Sequence, residues 1–246
     1  MKNYLKIPVE DRESGYADSL YPKRILSSAV HNLQHNPFPA KLEGPSIQMF
    51  DYVGPEMSFG MKLLFANRWL FSPLIKRELQ KSNSTNASIR TTIAPTIFHA
   101  GTKENVLPQK ATAMVNFRLF PGDSGEYVID HVKKAIDDPR VMVTPSSHHP
   151  QEASAVSDIN QEGYQMVQQT IRQVFPQSIV APYLVVVGTD TKNYEDISES
   201  IYRFVPMKFT SDDLGRIHGT NERLGVNNLE EMIKFYIQLI RNSNKA

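Results

Sequence analysis

His218 is the side chain in this sequence best placed to do chemistry. It lies in Arg216-Ile217-His218-Gly219-Thr220-Asn221-Glu222. An imidazole followed by glycine belongs to a loop, where no helix neighbour obstructs the ring. Asn221 can cap, and Glu222 puts a negative charge near a helix expected from about Asn227. Neutral imidazole is a good zinc ligand, although a lone histidine is more often a capping or surface residue. A catalytic zinc takes about three protein ligands, so His218 alone would not hold one. The other groups of suitable type are weaker. His31 and His35 share a helical face at i, i+4, without the glutamate that a zinc-binding helix places between them, and read as a polar helix surface. His148-His149 falls in a stretch without periodicity and reads as solvent-exposed. Glu230-Glu231 is expected in the first turn of the last helix, as a solvated pair favoured by the helix dipole.

These residues need a scaffold, and 246 residues are enough for one large or two ordinary domains. Apolar residues make up 40% and charged residues 22%, the balance of a globular chain. The net charge of +1 supplies no bulk field for nucleic acid or an acidic membrane surface, so neither is expected as a partner. Without cysteine there are no disulfides and no thiolate metal sites. No signal-type or membrane-spanning run is present, so a cytoplasmic location is expected for the chain as written.

Tyr4–Val9 alternates as a strand, with Pro8 suggesting an edge. Pro22 suits a helix start, and Ile25, Leu26, Ala29, Val30 and Leu33 form its apolar face. Residues 44–86 read as a helical insertion, with helices over Gly60–Ala66 and Trp69–Gln80. Thr91–Phe98 and Ala111–Phe120 read as strands. A helix to about Asp138 follows, with Val128, Val132 and Ile136 on one side, and Val141–Thr144 closes as a strand. Without the insertion the order is β-α-β-β-α-β, the ferredoxin-like arrangement of a four-stranded antiparallel sheet with two helices on one face. Residues 145–157 read as a linker. In the second unit Asp158 and Gln161 fit a capping box for a helix whose face is Tyr164, Val167, Ile171 and Val174. Ile179–Val187 reads as a strand buried on both faces, and Ile201–Val205 as another. The last helix would bury Met232, Phe235, Leu239 and Ile240. This α/β portion is incomplete, because a strand buried on both faces needs neighbours that two strands cannot provide.

Four segments carry a family resemblance. Gly101-Thr102-Lys103-Glu104-Asn105-Val106-Leu107-Pro108, the strand Ala113–Arg118, Gly188-Thr189-Asp190, and His218-Gly219-Thr220-Asn221-Glu222 occur in the order seen in M20 metallopeptidases. Ile89-Arg90-Thr91-Thr92, the insertion and Ile201-Tyr202-Arg203-Phe204 resemble the carboxypeptidase S and PM20D1-like branch. The resemblance implies a zinc-dependent hydrolase of peptide or N-acyl amino acid amide bonds. Residues 1–150 would be its ferredoxin-like lid and dimerisation domain, and residues 151–246 only the C-terminal portion of the catalytic domain. His218 would be a metal ligand, and Asn105, Arg118, Thr189 and Asp190 would contact substrate.

Each has another reading. Asn105 could be a turn residue, Arg118 could pair with an acidic neighbour, and Asp190 could bind nearby backbone N–H groups. Lys192 stands where the family often has arginine. Tyr16, in Ser14-Gly15-Tyr16-Ala17-Asp18-Ser19, aligns with a family histidine that polarises the scissile carbonyl. The family's His-x-Asp motif is absent, so no catalytic residue is assigned and zinc is not expected to be held stably by this chain alone. The expected partners are a small peptide or N-acyl amino acid and a second copy bound through the lid. The alternative is a truncated, non-catalytic dimerisation or peptide-binding module. An RNA-binding sheet is disfavoured by the lack of the aromatic RNP pattern.

Overall fold

The computed structural model describes residues 2–10, 22–146 and 152–244. Tyr16 and His148-His149 lie outside them. In chain order the elements are β1 (Lys2–Glu10), α1 (Pro22–His35), α2 (Pro45–Val53), α3 (Phe59–Ala66), α4 (Arg68–Leu79), α5 (Asn83–Ala87), β2 (Thr92–Ala100), β3 (Lys110–Arg118), α6 (Gly125–Ile136), β4 (Thr144–Pro145), α7 (Glu162–Val174), α8 (Ser211–Leu214) and α9 (Val226–Ser243).

Alternation builds the sheet. On β1, Leu5, Ile7 and Val9 are buried; on β3, Ala111, Ala113, Val115 and Phe117 are. These sets point the same way because the strands pair antiparallel, Leu5 opposite Val115 and Ile7 opposite Ala113. The strand order is β2-β3-β1-β4, as the ferredoxin-like reading requires. α1 buries Ile25, Leu26, Ala29, Val30 and Leu33 against this face, and α6 buries Val128, Val132 and Ile136. The Ser124 hydroxyl caps α6 by accepting the Tyr127 N–H at 3.1 Å. α2 to α5 occupy the insertion.

Pro8 is not on an edge strand, because β1 runs between β3 and β4. Tyr4 and Pro8 point their carbonyls at the β4 side, where they accept from Ser146 and Met142. The donor that Pro8 lacks therefore faces the side on which, beyond Leu5 and Lys6, pairing is reduced to the Met142 bond and an isolated Val9–Val141 bridge, so little is lost.

The second unit departs further from its pattern. Ile179–Val187 and Ile201–Val205 form no strand, and Ile179, Tyr183, Val187 and Val205 are exposed. Their apolar character is that of buried strands, but no ladder partner exists for them among the described residues. The capping box at Asp158 does not form. Its carboxylate accepts from the Asn160 backbone and side chain, and Gln161 is the N-cap, without a side-chain bond. Helices α7 and α9 pack together through Ile171 and Phe235, while Ile240 faces out. Asn242 joins them, donating to Thr170 Oγ1 at 2.8 Å and Gln173 Oε1 at 2.9 Å.

Candidate functional site

A cleft of about 830 Å³ lies between one end of the sheet and the second unit. Tyr4 of β1 and Gln48 of α2 stand on one side. Val167 and Ile171 of α7, with Val180, Leu184 and Val185, make an apolar wall. Gly188, Thr189, Asp190 and Arg203 give the cleft a polar end. The unpaired segments 179–190 and 201–205 thus wall a cavity instead of forming a sheet.

The polar end is tied together by hydroxyls and one guanidinium. Thr189 Oγ1 lies 2.6 Å from Thr191 Oγ1, at the start of a 3-10 turn over Asp190–Tyr194. Arg203 Nε donates to Thr191 Oγ1 at 2.9 Å and to Thr189 Oγ1 at 3.3 Å. Arg118, at the end of β3, donates through Nη1 to the Val186 carbonyl. So Arg118 reaches the second unit, and its partner there is a backbone carbonyl. Asp190 is exposed and lines the cleft.

Sequence reasoning missed Arg203 and Tyr164 as wall residues. The Tyr164 hydroxyl is buried without a hydrogen-bond partner, and its ring meets Tyr202 edge-on at 5.6 Å. Burial pushes the Tyr164 phenol above its ordinary value. Arg203 lies in a segment that carries the family resemblance, but no spacing shows its partners, because Thr189 and Thr191 come from a separate loop.

His218 and Asn105 are not among the described residues lining this cleft. Asn105 is exposed on the connection between β2 and β3, where Val106 N–H donates to the Lys103 carbonyl at 3.4 Å. His218 is exposed in the turn after α8, with φ at 56° in the left-handed region. Asn221, at φ 62°, shares that conformation and does not cap α9, whose N-cap is Gly225. Two non-glycine residues held left-handed in one turn store strain of about 1–3 kcal/mol each. Gly219 between them is fixed by space. A Cβ there would sit 2.9 Å from the Gly215 carbonyl oxygen.

The remaining candidates have ordinary partners. The His31 and His35 rings lie 3.9 Å apart, tilted by 32°, on an exposed face of α1, where the His35 ring bonds the His31 carbonyl. Glu230 and Glu231 stand past the first turn of α9, so the helix dipole does not account for them. Glu230 pairs with Lys234 at 2.6 Å, which holds its carboxyl below the usual range, and Glu231 pairs with Lys208 at 2.6 Å. Among the described residues no three His, Cys, Asp or Glu side chains converge to hold a metal ion. His218 can offer one ligand, and the donor set does not fit a metal held by these residues alone. No described helix is long and apolar enough to cross a membrane.

The peptidase dimerisation domain of the M20 family matches residues 22–141. A carboxypeptidase S-like protein of Dictyostelium discoideum is 42% identical over 221 residues, covering 90% of this chain and 42% of that protein. The N-fatty-acyl-amino acid synthase/hydrolase PM20D1 of Xenopus tropicalis is also 42% identical, over 89% of this chain and 43% of its own length. The crystal structure of an M20 family metallo-carboxypeptidase from Sulfolobus solfataricus superposes with a TM-score of 0.57 at 15% identity. That match covers 98% of this chain and 58% of the other. The chain spans less than half the length of the curated relatives it matches.

Proposed function

This chain belongs to the M20 peptidase family, and we propose that it forms the lid and C-terminal return of a metal-dependent amide hydrolase of that family. On this reading residues 1–150 are the lid and dimerisation domain, and residues 151–246 are part of the catalytic domain. The substrate is an N-acyl amino acid or a small peptide, the class that the relatives' names suggest. Such a molecule has an apolar tail and a carboxylate beside its amide. The cleft offers an aliphatic wall of Val167, Ile171, Val180 and Leu184 for the tail, and at its polar end the Arg203 guanidinium and Thr189 hydroxyl for the carboxylate, with Asp190 beside them to orient the amide. Arg118 and Asn105 are assigned to the substrate side, and His218 to one position of the metal site.

In the family the metal, zinc by this reading, would activate water for attack on the carbonyl. The described residues do not assemble a site for it, so the chemistry derived from this chain stops at binding and orientation. Arg203 holds the Thr189–Thr191 turn, Tyr164 and Tyr202 keep the wall packed, and the apolar wall excludes water from the acyl chain. These 246 residues are proposed to bind substrate and not to turn it over alone.

The observation that supports this most is the placing of the Gly188-Thr189-Asp190 turn at the polar end of an otherwise apolar cleft, beside Arg203. A long-chain N-acyl amino acid titrated into isotopically labelled protein should shift the backbone resonances of Thr189–Thr191. Arg203→Gln should weaken that binding, with no hydrolysis at any stage. Absence of those shifts at millimolar ligand would refute the substrate assignment. Stoichiometric zinc with turnover abolished by His218→Ala would show the chain to be a complete enzyme.

A second reading, a non-catalytic dimerisation or peptide-binding module, is favoured by β2. It is an edge strand, pairing only with β3 among the described residues. Metal-free dimers that bind no N-acyl amino acid would support it.

A further inference from the structure

The helical insertion carries an apolar surface that none of the described residues covers. Phe59 and Trp69 are each 81% exposed, and Leu63, Leu70 and Leu74 are roughly half exposed. They belong to α3 and α4, two helices joined by the single residue Asn67. The inner side of the pair is satisfied: Phe65 and Ile75 are buried, and Phe50 of α2 stacks on Phe65 at 3.9 Å. The outer side is not. Helical spacing sets Phe59 above Leu63 and Leu70 above Leu74, so the exposed side chains come in stacked pairs. Scattered apolar residues on a surface need no explanation, but five on one helical hairpin do.

Charge selects the occupant. Residues 57–81 hold five Lys or Arg and one Glu, a net +4 within a chain of net +1. Arg68 is taken up by Asp51 and Lys81 by Glu78. Lys62 and Arg77 are exposed on the same two helices as the apolar residues. Aromatic and leucine side chains flanked by cations suit the headgroup boundary of an anionic bilayer, where rings and aliphatic groups enter and cations meet phosphate. The whole-chain charge conceals this, because the rest of the chain is net acidic.

We propose that α3 and α4 form a docking surface for an anionic phospholipid bilayer, with Phe59, Trp69 and Leu70 entering the interface and Lys62 and Arg77 facing lipid phosphates. This proposal stands apart from the hydrolase reading. Trp69 is the chain's one tryptophan, so its emission reports the event directly.

The test mixes the full chain with vesicles of phosphatidylglycerol and phosphatidylcholine, and separately with phosphatidylcholine alone. Anionic vesicles should shift Trp69 emission to the blue, expose it to quenching by brominated lipid, and sediment with the protein. Lys62→Gln with Arg77→Gln should weaken binding about 30-fold, at about 1 kcal/mol per basic residue. Phe59→Ser with Leu70→Ser should abolish it while leaving Trp69 as reporter. All four positions are exposed, and circular dichroism melts should match those of the parent. No emission change with anionic vesicles would overturn the proposal. So would equal binding to neutral vesicles that ignores the charge variants. A Trp69 shift that follows protein concentration without vesicles would assign the surface to a second copy instead.

Discussion

Asp123 should be the most consequential polar residue of the sheet domain. It is buried at the turn before α6 and makes two side-chain bonds. One oxygen accepts the Thr91 hydroxyl at 2.6 Å, and the other meets Lys41 Nζ at 2.5 Å. Thr91 Oγ1 in turn accepts the Phe120 N–H at 2.8 Å. The carboxylate thus joins the residues flanking the start of β2 and the end of β3 to the segment between α1 and α2. In Asp123→Ala the buried hydroxyl loses its charged acceptor, worth about 1.5–3 kcal/mol. The Lys41 pair adds no more than about 1 kcal/mol, because that side chain is 31% exposed. The expected loss is therefore about 3 kcal/mol, or roughly 6–12 °C in Tm for a chain of this size. Urea unfolding of Asp123→Ala, Lys41→Met and the double variant separates the two contributions, with a coupling near 1 kcal/mol. Burial alone would lower the Lys41 ammonium, but the hydrogen bond and charge of Asp123 carry it above the ordinary 10.5. Its contribution is complete below that value and lost as pH rises through the higher folded one. The stability difference between wild type and Lys41→Met should therefore close only in strong alkali. An Asp123→Ala protein within about 0.5 kcal/mol of wild type would refute the reasoning, since surface changes away from such networks cost that little.

Two further predictions concern the second unit. Gly219→Ala drives a Cβ against the Gly215 carbonyl, and overpacking of this kind costs about 1–3 kcal/mol. Its local signature is faster hydrogen exchange of the residue-219 amide, which now donates to the Arg216 carbonyl at 2.9 Å. Asn242→Ala unties α7 from α9, and should cost about 1 kcal/mol in urea unfolding. The low figure follows because Thr170 still donates to the Met166 carbonyl at 2.7 Å.

The four-stranded sheet is legible in the sequence because each of its strands finds a neighbour inside the chain. The alternation of Leu5, Ile7 and Val9 answers that of Ala111 to Phe117, and α1 and α6 supply the cover. The same logic misreads Ile179–Val187. A run of apolar residues states what burial it is suited to, not whether a neighbour is there to provide it. Pro8 misleads for a related reason: the cost of its missing N–H depends on which side it faces, and only the register tells that. The placing of the candidate site is less visible. Gly188-Thr189-Asp190 is recognisable as a loop, but its tie to Arg203 joins separate segments and has no spacing rule. The left-handed turn at His218 and Asn221 is likewise hidden, since neither residue type demands that conformation.

The insertion sits inside the loop that the β1–β3 ladder closes, between Glu10 and Lys110. The entropy lost in closing a loop grows only with the logarithm of its length. Lengthening this one from about 57 to about 100 residues adds only about 0.5 kcal/mol. Grafting four helices at that point therefore leaves the sheet's assembly almost untouched. It does so while delaying the moment during synthesis at which β1 meets β3, and until then its apolar row has to wait beside α1 alone.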